Sequence, residues 1–287
     1  MQNTNLLSLA VAFSFTVFLV AAITPAIRIF AMKKQIYDFP SEKHKSHLNP
    51  VPYLGGVSIA LSSSISLVLG TLLEFRDSLP LVLSVILPSL LLGAVGLFDD
   101  ILQLPPLPRF LAQSTIGLLI STWLFKTNTA GAETGNIIFD YILTSFFVVV
   151  LCNSVNFFDN IDGGASGAVT ISSFFVGLLC LHSNQFELSA VAFVLAGATF
   201  GFLWWNQSPA RIYMGDAGSL FLGVMLSSIL IRLDPNSVSK GSTYFVVFFI
   251  VAIPLLDSAV AISSRIIRGE SPFVGGKDHL SHRLMSK

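Results

Sequence analysis

Nine apolar segments follow one another along this chain, each near the ~20 residues that an α-helix needs to cross a bilayer. They run over about 6–31, 54–73, 80–98, 107–126, 137–157, 164–182, 187–205, 216–233 and 243–265. In hydrocarbon the backbone must satisfy its own N–H and C=O groups, which leaves only helices and closed barrels. Segments of this length suit helices. The expected fold class is therefore all-α: a polytopic membrane protein of about nine transmembrane helices, forming one membrane domain over residues 1–287.

Charge supports that reading and orients it. Only 11% of the residues are charged, against about 25% in soluble proteins. The formal net charge is zero, which gives no case for a nucleic-acid partner. No basic residue precedes the first apolar segment, whereas Lys33 and Lys34 follow it. That order suits a retained first span with its N-terminus outside and the C-terminus cytoplasmic. The same choice leaves only Arg76, Lys126, Arg232 and Lys240 outside and puts the other twelve of the sixteen Lys and Arg inside. Cys152 and Cys180 are expected near opposite faces, as apolar packing residues without a bridge.

This orientation gathers five acids on the cytoplasmic face: Asp99 and Asp100 in GLFDDILQL, Asp159 and Asp162 in NSVNFFDNIDGG, and Asp216 in ARIYMGDAGSLFLG. Acids at span ends are costly unless they are used. The simplest use is to hold a divalent cation and an anionic substrate. Asp99 and Asp100 end the third span and, as neighbours on a helix, point about 100° apart. One is suited to a metal, the other to substrate or a hydrogen-bond donor. Asn153, Asn156 and Asp159 recur every three residues and form a polar stripe on one helical face, while Asp162 comes from the following loop. Asp216 lies between Gly215 and Ala217 at the start of the eighth span. Backbone N–H groups there favour anions, and a carboxylate beside them suits Mg²⁺ bridging to phosphate.

Two basic clusters face these acids. Lys43, His44, Lys45 and His47 in the first inner loop read either as ordinary cytoplasmic charge or as a phosphate clamp. His279, His282 and Arg283 in the tail read either as a solvated basic tail or as a clamp on phosphate or sugar. Asp257, beside Pro254 inside the ninth segment, reads best as a hydrogen-bonded structural acid. A cation transporter would line both halves of the membrane with acids, and these gather at one face.

In order, the motifs resemble the polyprenyl-phosphate N-acetylhexosamine-1-phosphate transferase family, from about Asp38 to Arg283. NSVNFFDNIDGG is similar to the family's N-x-x-N-x-x-D-G-x-D-G, and MGDAGSLFLG to its M-G-D-x-G-S-x-x-L-G. The paired acids of GLFDD and the SPF-to-HR tail also match. The resemblance implies that a polyprenyl phosphate attacks the β-phosphate of a UDP-linked amino sugar, releasing UMP. It implies Mg²⁺, with Mn²⁺ as a substitute, on Asp216 above all, with Asp99 and Asp100 serving the metal and the attacking lipid phosphate. It places Asn156, Asp159 and Asp162 on the nucleotide side, with Asn153 in the same substrate-binding stripe. Lys43, His44, His279, His282 and Arg283 would meet phosphates or sugar. The expected location is the plasma (inner) membrane, with polyprenyl phosphate, the UDP-sugar and the bilayer as partners and a homodimer left open.

DHLSHR is closer to the H-x-H-H-R of the N-acetylglucosamine-1-phosphate branch than to the three histidines of the peptidoglycan branch, phospho-N-acetylmuramoyl-pentapeptide transferase. UDP-GlcNAc is thus the expected donor. The peptidoglycan substrate and an inactive lipid- or nucleotide-binding relative stay as alternatives. The chain departs from the pattern at three places. Asn160 stands where the family has Gly, Ser281 where it has the middle histidine, and the chain ends four residues past Arg283, where relatives continue with further spans.

Overall fold

The computed structural model describes residues 2–38, 50–74, 76–236, 240–271 and 278–281. Ten α-helices make up most of it: α1 (Gln2–Lys33), α2 (Gly55–Leu73), α3 (Leu79–Leu102), α4 (Pro106–Thr127), α5 (Ile137–Phe158), α6 (Gly164–His182), α7 (Phe186–Asn206), α8 (Gly215–Arg232), α9 (Lys240–Ile250) and α10 (Ala252–Ile267). Between α1 and α2, the two-residue strands β1 (Tyr37–Asp38) and β2 (Val51–Pro52) pair antiparallel.

Seven helices, α1 to α3 and α5 to α8, are long and apolar enough to cross a membrane. The α9–α10 pair, bent by 75°, makes an eighth if taken as one span. The protein is thus an all-α polytopic membrane protein, in which seven to eight candidate spans pass on length and composition, beside the nine segments expected. The difference has local causes. α4 is long enough, but hydroxyls dilute it: Ser114, Thr115, Ser121 and Thr122 each donate back to the carbonyl four residues earlier, as such residues do inside helices. The ninth segment is broken by Pro254, which has no N–H for the carbonyl of Ile250. That carbonyl accepts instead from Ser172 Oγ at 2.8 Å.

α7 and α8 form the core, with 78% and 83% of their most apolar windows buried, against 17% for α1. α3 and α5 pack on α8, α1 and α6 pack on α7, and α4 packs on α5. Outer faces carry Phe18, Ile138, Phe146 and Trp204, all exposed, as helices facing lipid require. Small residues let α8 be approached closely. A Cβ on Gly56 would run into the backbone of Gly218, and one on Gly96 into the backbone of Asp216. These two contacts bring the N-terminus of α2 and the C-terminal half of α3 against the first turn of α8. Cys152 and Cys180 are buried and unbridged.

Candidate active site

The site is organised around the start of α8. The first N–H groups of a helix have no intrahelical partner, and here Asp100 supplies one. Its Oδ1 accepts from Asp216 N at 2.8 Å and its Oδ2 from Ala217 N at 3.0 Å. Gly215 permits this, with a φ of +71° in the left-handed region that favours glycine. A Cβ there would also meet the Asp100 carboxylate. Tyr53 steadies the end of α3 that carries Asp100, its hydroxyl donating to the main-chain Asp100 O at 2.7 Å.

Asp99 faces another way, as the 100° offset predicts. Its Oδ1 accepts from Leu104 N at 2.7 Å and its Oδ2 from Arg109 Nη1 at 2.6 Å. The same Nη1 donates to Asp216 Oδ2 at 2.5 Å. Arg109 thus bridges Asp99 and Asp216. The other oxygen of Asp216 accepts from Asn156 Nδ2 at 2.6 Å, and that nitrogen also donates to Ser219 Oγ at 2.8 Å. One carboxylate is therefore held by α4 and α5 at once.

Asp159 caps α5, its N–H reaching Asn156 O at 3.3 Å. Desolvation, and after it the charges of Asp216, Asp100 and Asp162, push its carboxyl well above the usual range, although the residue keeps partial solvent access. Asp162 accepts from Ala210 N at 2.9 Å, tying the α5–α6 loop to the loop before α8. Burial, followed by the charge of Asp162 and a hydrogen bond to it, raises the Tyr213 phenol above its ordinary value. Main-chain bonds tie that second loop in turn to the start of α2: Tyr213 N to Pro52 O, Gly55 N to Tyr213 O and Gly56 N to Met214 O, at 2.9–3.0 Å.

The expected residues are thus divided. Asp99, Asp100, Asn156, Asp159, Asp162 and Asp216 converge at one end of the bundle. Asn153 belongs to the same stripe in sequence, but its amide donates to Gln113 Oε1 and Val149 O, joining α5 to α4. His279 is 5% exposed and bonds Asp257 through Nδ1. Lys43, His44, His282 and Arg283 lie outside the described residues. In the sequence Arg109 counts only among the twelve inner cations, and its bridging position does not show. As the one cation between Asp100 and Lys126, in the first turn of α4, it carries the signal that could find it.

Oxygen donors of this kind suit a hard divalent cation. Among the described residues no three of His, Cys, Asp and Glu stand together as a ready cage. Two of the expected ligands, Asp99 and Asp216, are joined by a guanidinium, and both oxygens of the third, Asp100, accept from backbone N–H groups.

This constellation falls within a family match. Residues 82–234 fit the model of glycosyl transferase family 4, and the chain belongs to that family. Its relatives include the probable undecaprenyl-phosphate N-acetylglucosaminyl 1-phosphate transferase of Bacillus subtilis. The two are 29% identical over 100% of this chain and 80% of the relative. The decaprenyl-phosphate N-acetylglucosaminephosphotransferase of Mycolicibacterium smegmatis is 30% identical over 90% of this chain and 71% of its own. A phospho-N-acetylmuramoyl-pentapeptide-transferase of Streptococcus equi subsp. zooepidemicus is 33% identical over 72% and 67%. The chain is thus a membrane-embedded transferase.

Proposed function

We propose that this protein transfers N-acetylglucosamine-1-phosphate from UDP-GlcNAc to undecaprenyl or another polyprenyl phosphate. A phosphate oxygen of the lipid forms a bond to the β-phosphorus, the bond from that phosphorus to the oxygen bridging the two phosphates breaks, and UMP leaves. A lipid-diphosphate sugar remains. The observation that carries the reading is the convergence of Asp99, Asp100, Asp159, Asp162 and Asp216 on the start of α8, in a chain of this family.

Phosphoryl transfer between two anions asks for positioning and charge neutralisation more than for covalent help. Asp216 and Asp99 would hold Mg²⁺, or Mn²⁺ in its place, with Asp100 fixing the turn that carries Asp216. When bound, the cation supplies charge that offsets repulsion between nucleophile and donor. Arg109 places a second positive group between the same two carboxylates, available to a phosphate oxygen once a cation holds them. Asn156 orients Asp216, and Asp159 and Asp162 lie on the nucleotide side. No strong base is required, because a phosphate monoester with a second pKa near ~6 is largely ionised at neutral pH. The reading places this site on the cytoplasmic face of the inner membrane.

The test is UMP release by purified protein given undecaprenyl phosphate and one sugar nucleotide at a time. UMP from UDP-GlcNAc, abolished by EDTA and restored by Mg²⁺, is the expected result. Asp216→Asn should lower turnover by about a hundredfold or more in protein that still melts as wild type. Full activity in EDTA would remove the metal. UMP from UDP-MurNAc-pentapeptide instead would select the second reading, which the pentapeptide-transferase relative favours.

A further inference from the structure

The segment from Asp278 to Ser281 lies along α10. Asp257, 1% exposed, faces His279 Nδ1 at 2.7 Å with one oxygen and accepts from Ser281 N at 3.0 Å with the other. Arg265, two turns further along the helix, donates to Asp278 at 3.2 Å. Ser281 is thereby set against the loop between α5 and α6, where its hydroxyl donates to Asn160 Oδ1 at 3.3 Å. Asn160 stands between Asp159 and Asp162. Its Nδ2 is buried and makes no hydrogen bond among the described residues, so the side chain is fixed through Oδ1.

Asn160 and Ser281 are also two of the places where this chain leaves the pattern it resembles, and they touch across 121 positions of sequence. A glycine facing a histidine and an asparagine facing a serine bring the same number of side-chain heavy atoms to the contact. Volume is exchanged across it rather than added, which is the kind of swap a packed interior tolerates.

We propose that Asn160 and Ser281 are one positioning pair, exchanged together, which holds the Asp159–Asp162 loop against the tail in the pose that receives the nucleotide sugar. The pairing rests on the contact; its substrate rests on the transferase reading above. Residues in contact couple when mutated and distant ones do not, so the test is a double-mutant cycle. Asn160→Gly, Ser281→His and the double variant are compared with wild type for melting temperature and for UMP-release kinetics. Each single change should raise KM for UDP-GlcNAc about tenfold, keep kcat within about threefold and leave KM for undecaprenyl phosphate alone. The double variant should return to within about threefold of wild type. Single effects that simply multiply in the double variant, or singles at wild-type KM, overturn the pair. So does a fall in kcat that follows lost stability while KM stays fixed. If Ser281→His yields no folded protein, Ser281→Ala reads the same bond without added bulk. A KM effect in wild type that vanishes beside Asn160→Gly supports the pair, and equal effects in both backgrounds overturn it. Melting needs no substrate. Coupled melting without UMP from any nucleotide sugar would refute the transferase reading and leave the pair. Additive melting and kinetics in an active enzyme would refute the pair and leave the transferase.

Discussion

Arg109 is the residue whose removal should reveal most about the site. Its Nη1 is within hydrogen-bond distance of both Asp99 and Asp216. Arg109→Ala leaves two carboxylates facing each other in a partly buried place, a loss of about 2 kcal/mol for charged hydrogen bonds of this kind. Turnover should fall by about a hundredfold. Arg109→Lys should recover part of it, since an ammonium keeps the charge but not the planar fork. UMP-release rates of the two variants check this, and wild-type rates in Arg109→Ala would take Arg109 out of the site. Residue identities were largely legible: the acids stand out because charge is scarce in this chain. Their partners were not. That Asn156 would meet Asp216, and Asn153 would meet Gln113 instead, depends on which neighbours α5 packs against, and a three-residue spacing cannot say that.

Among the elements, the approach of α2 to α8 is the tightest constraint. A Cβ at Gly56 would enter the Gly218 backbone, while one at Gly70 of the same helix meets nothing within 4 Å. Gly56→Ala should therefore cost about 1–3 kcal/mol through overpacking and lower activity by shifting the turn that holds Asp216. Gly70→Ala should be neutral or stabilise by up to about 1 kcal/mol, through helix propensity and unfolded-chain entropy. Melting temperatures in detergent check the pair, and equal effects would count against close α2–α8 packing. Helix positions were legible because apolar length announces them. The outline of the last segment was not: Pro254 marks a weak point, but the 75° bend also needs Ser172 on α6 to accommodate the freed carbonyl of Ile250.

At the scale of the whole molecule, orientation is the open property that the sequence argues most directly. By the excess of Lys and Arg on one side, the expected orientation has the acid cluster in the cytoplasm. Cys152 and Cys180 are buried, so they should stay silent to a membrane-impermeant thiol reagent. In intact cells Thr129→Cys, in the exposed connection after α4, should label, while Glu270→Cys, exposed after α10, should label only after permeabilisation. The reverse pattern would invert the topology. The fold class was legible from the apolar segments alone. How the helices are arranged was not, because α7 and α8 look no more apolar than the helices that surround them.

The main-chain bonds joining Pro52, Gly55 and Gly56 to Tyr213 and Met214 have a consequence for how this protein can drift. Peptide groups make them, and every amino acid supplies a carbonyl. The donors sit at positions 55, 56 and 213, and on this ground alone only proline is forbidden there. Packing still holds Gly55 and Gly56, where a Cβ would run into Phe202 and the Gly218 backbone, but the seam between the segment before α2 and the turn bearing Asp216 can persist while its other letters, at 52, 213 and 214, change. A comparison of spellings would pass over it.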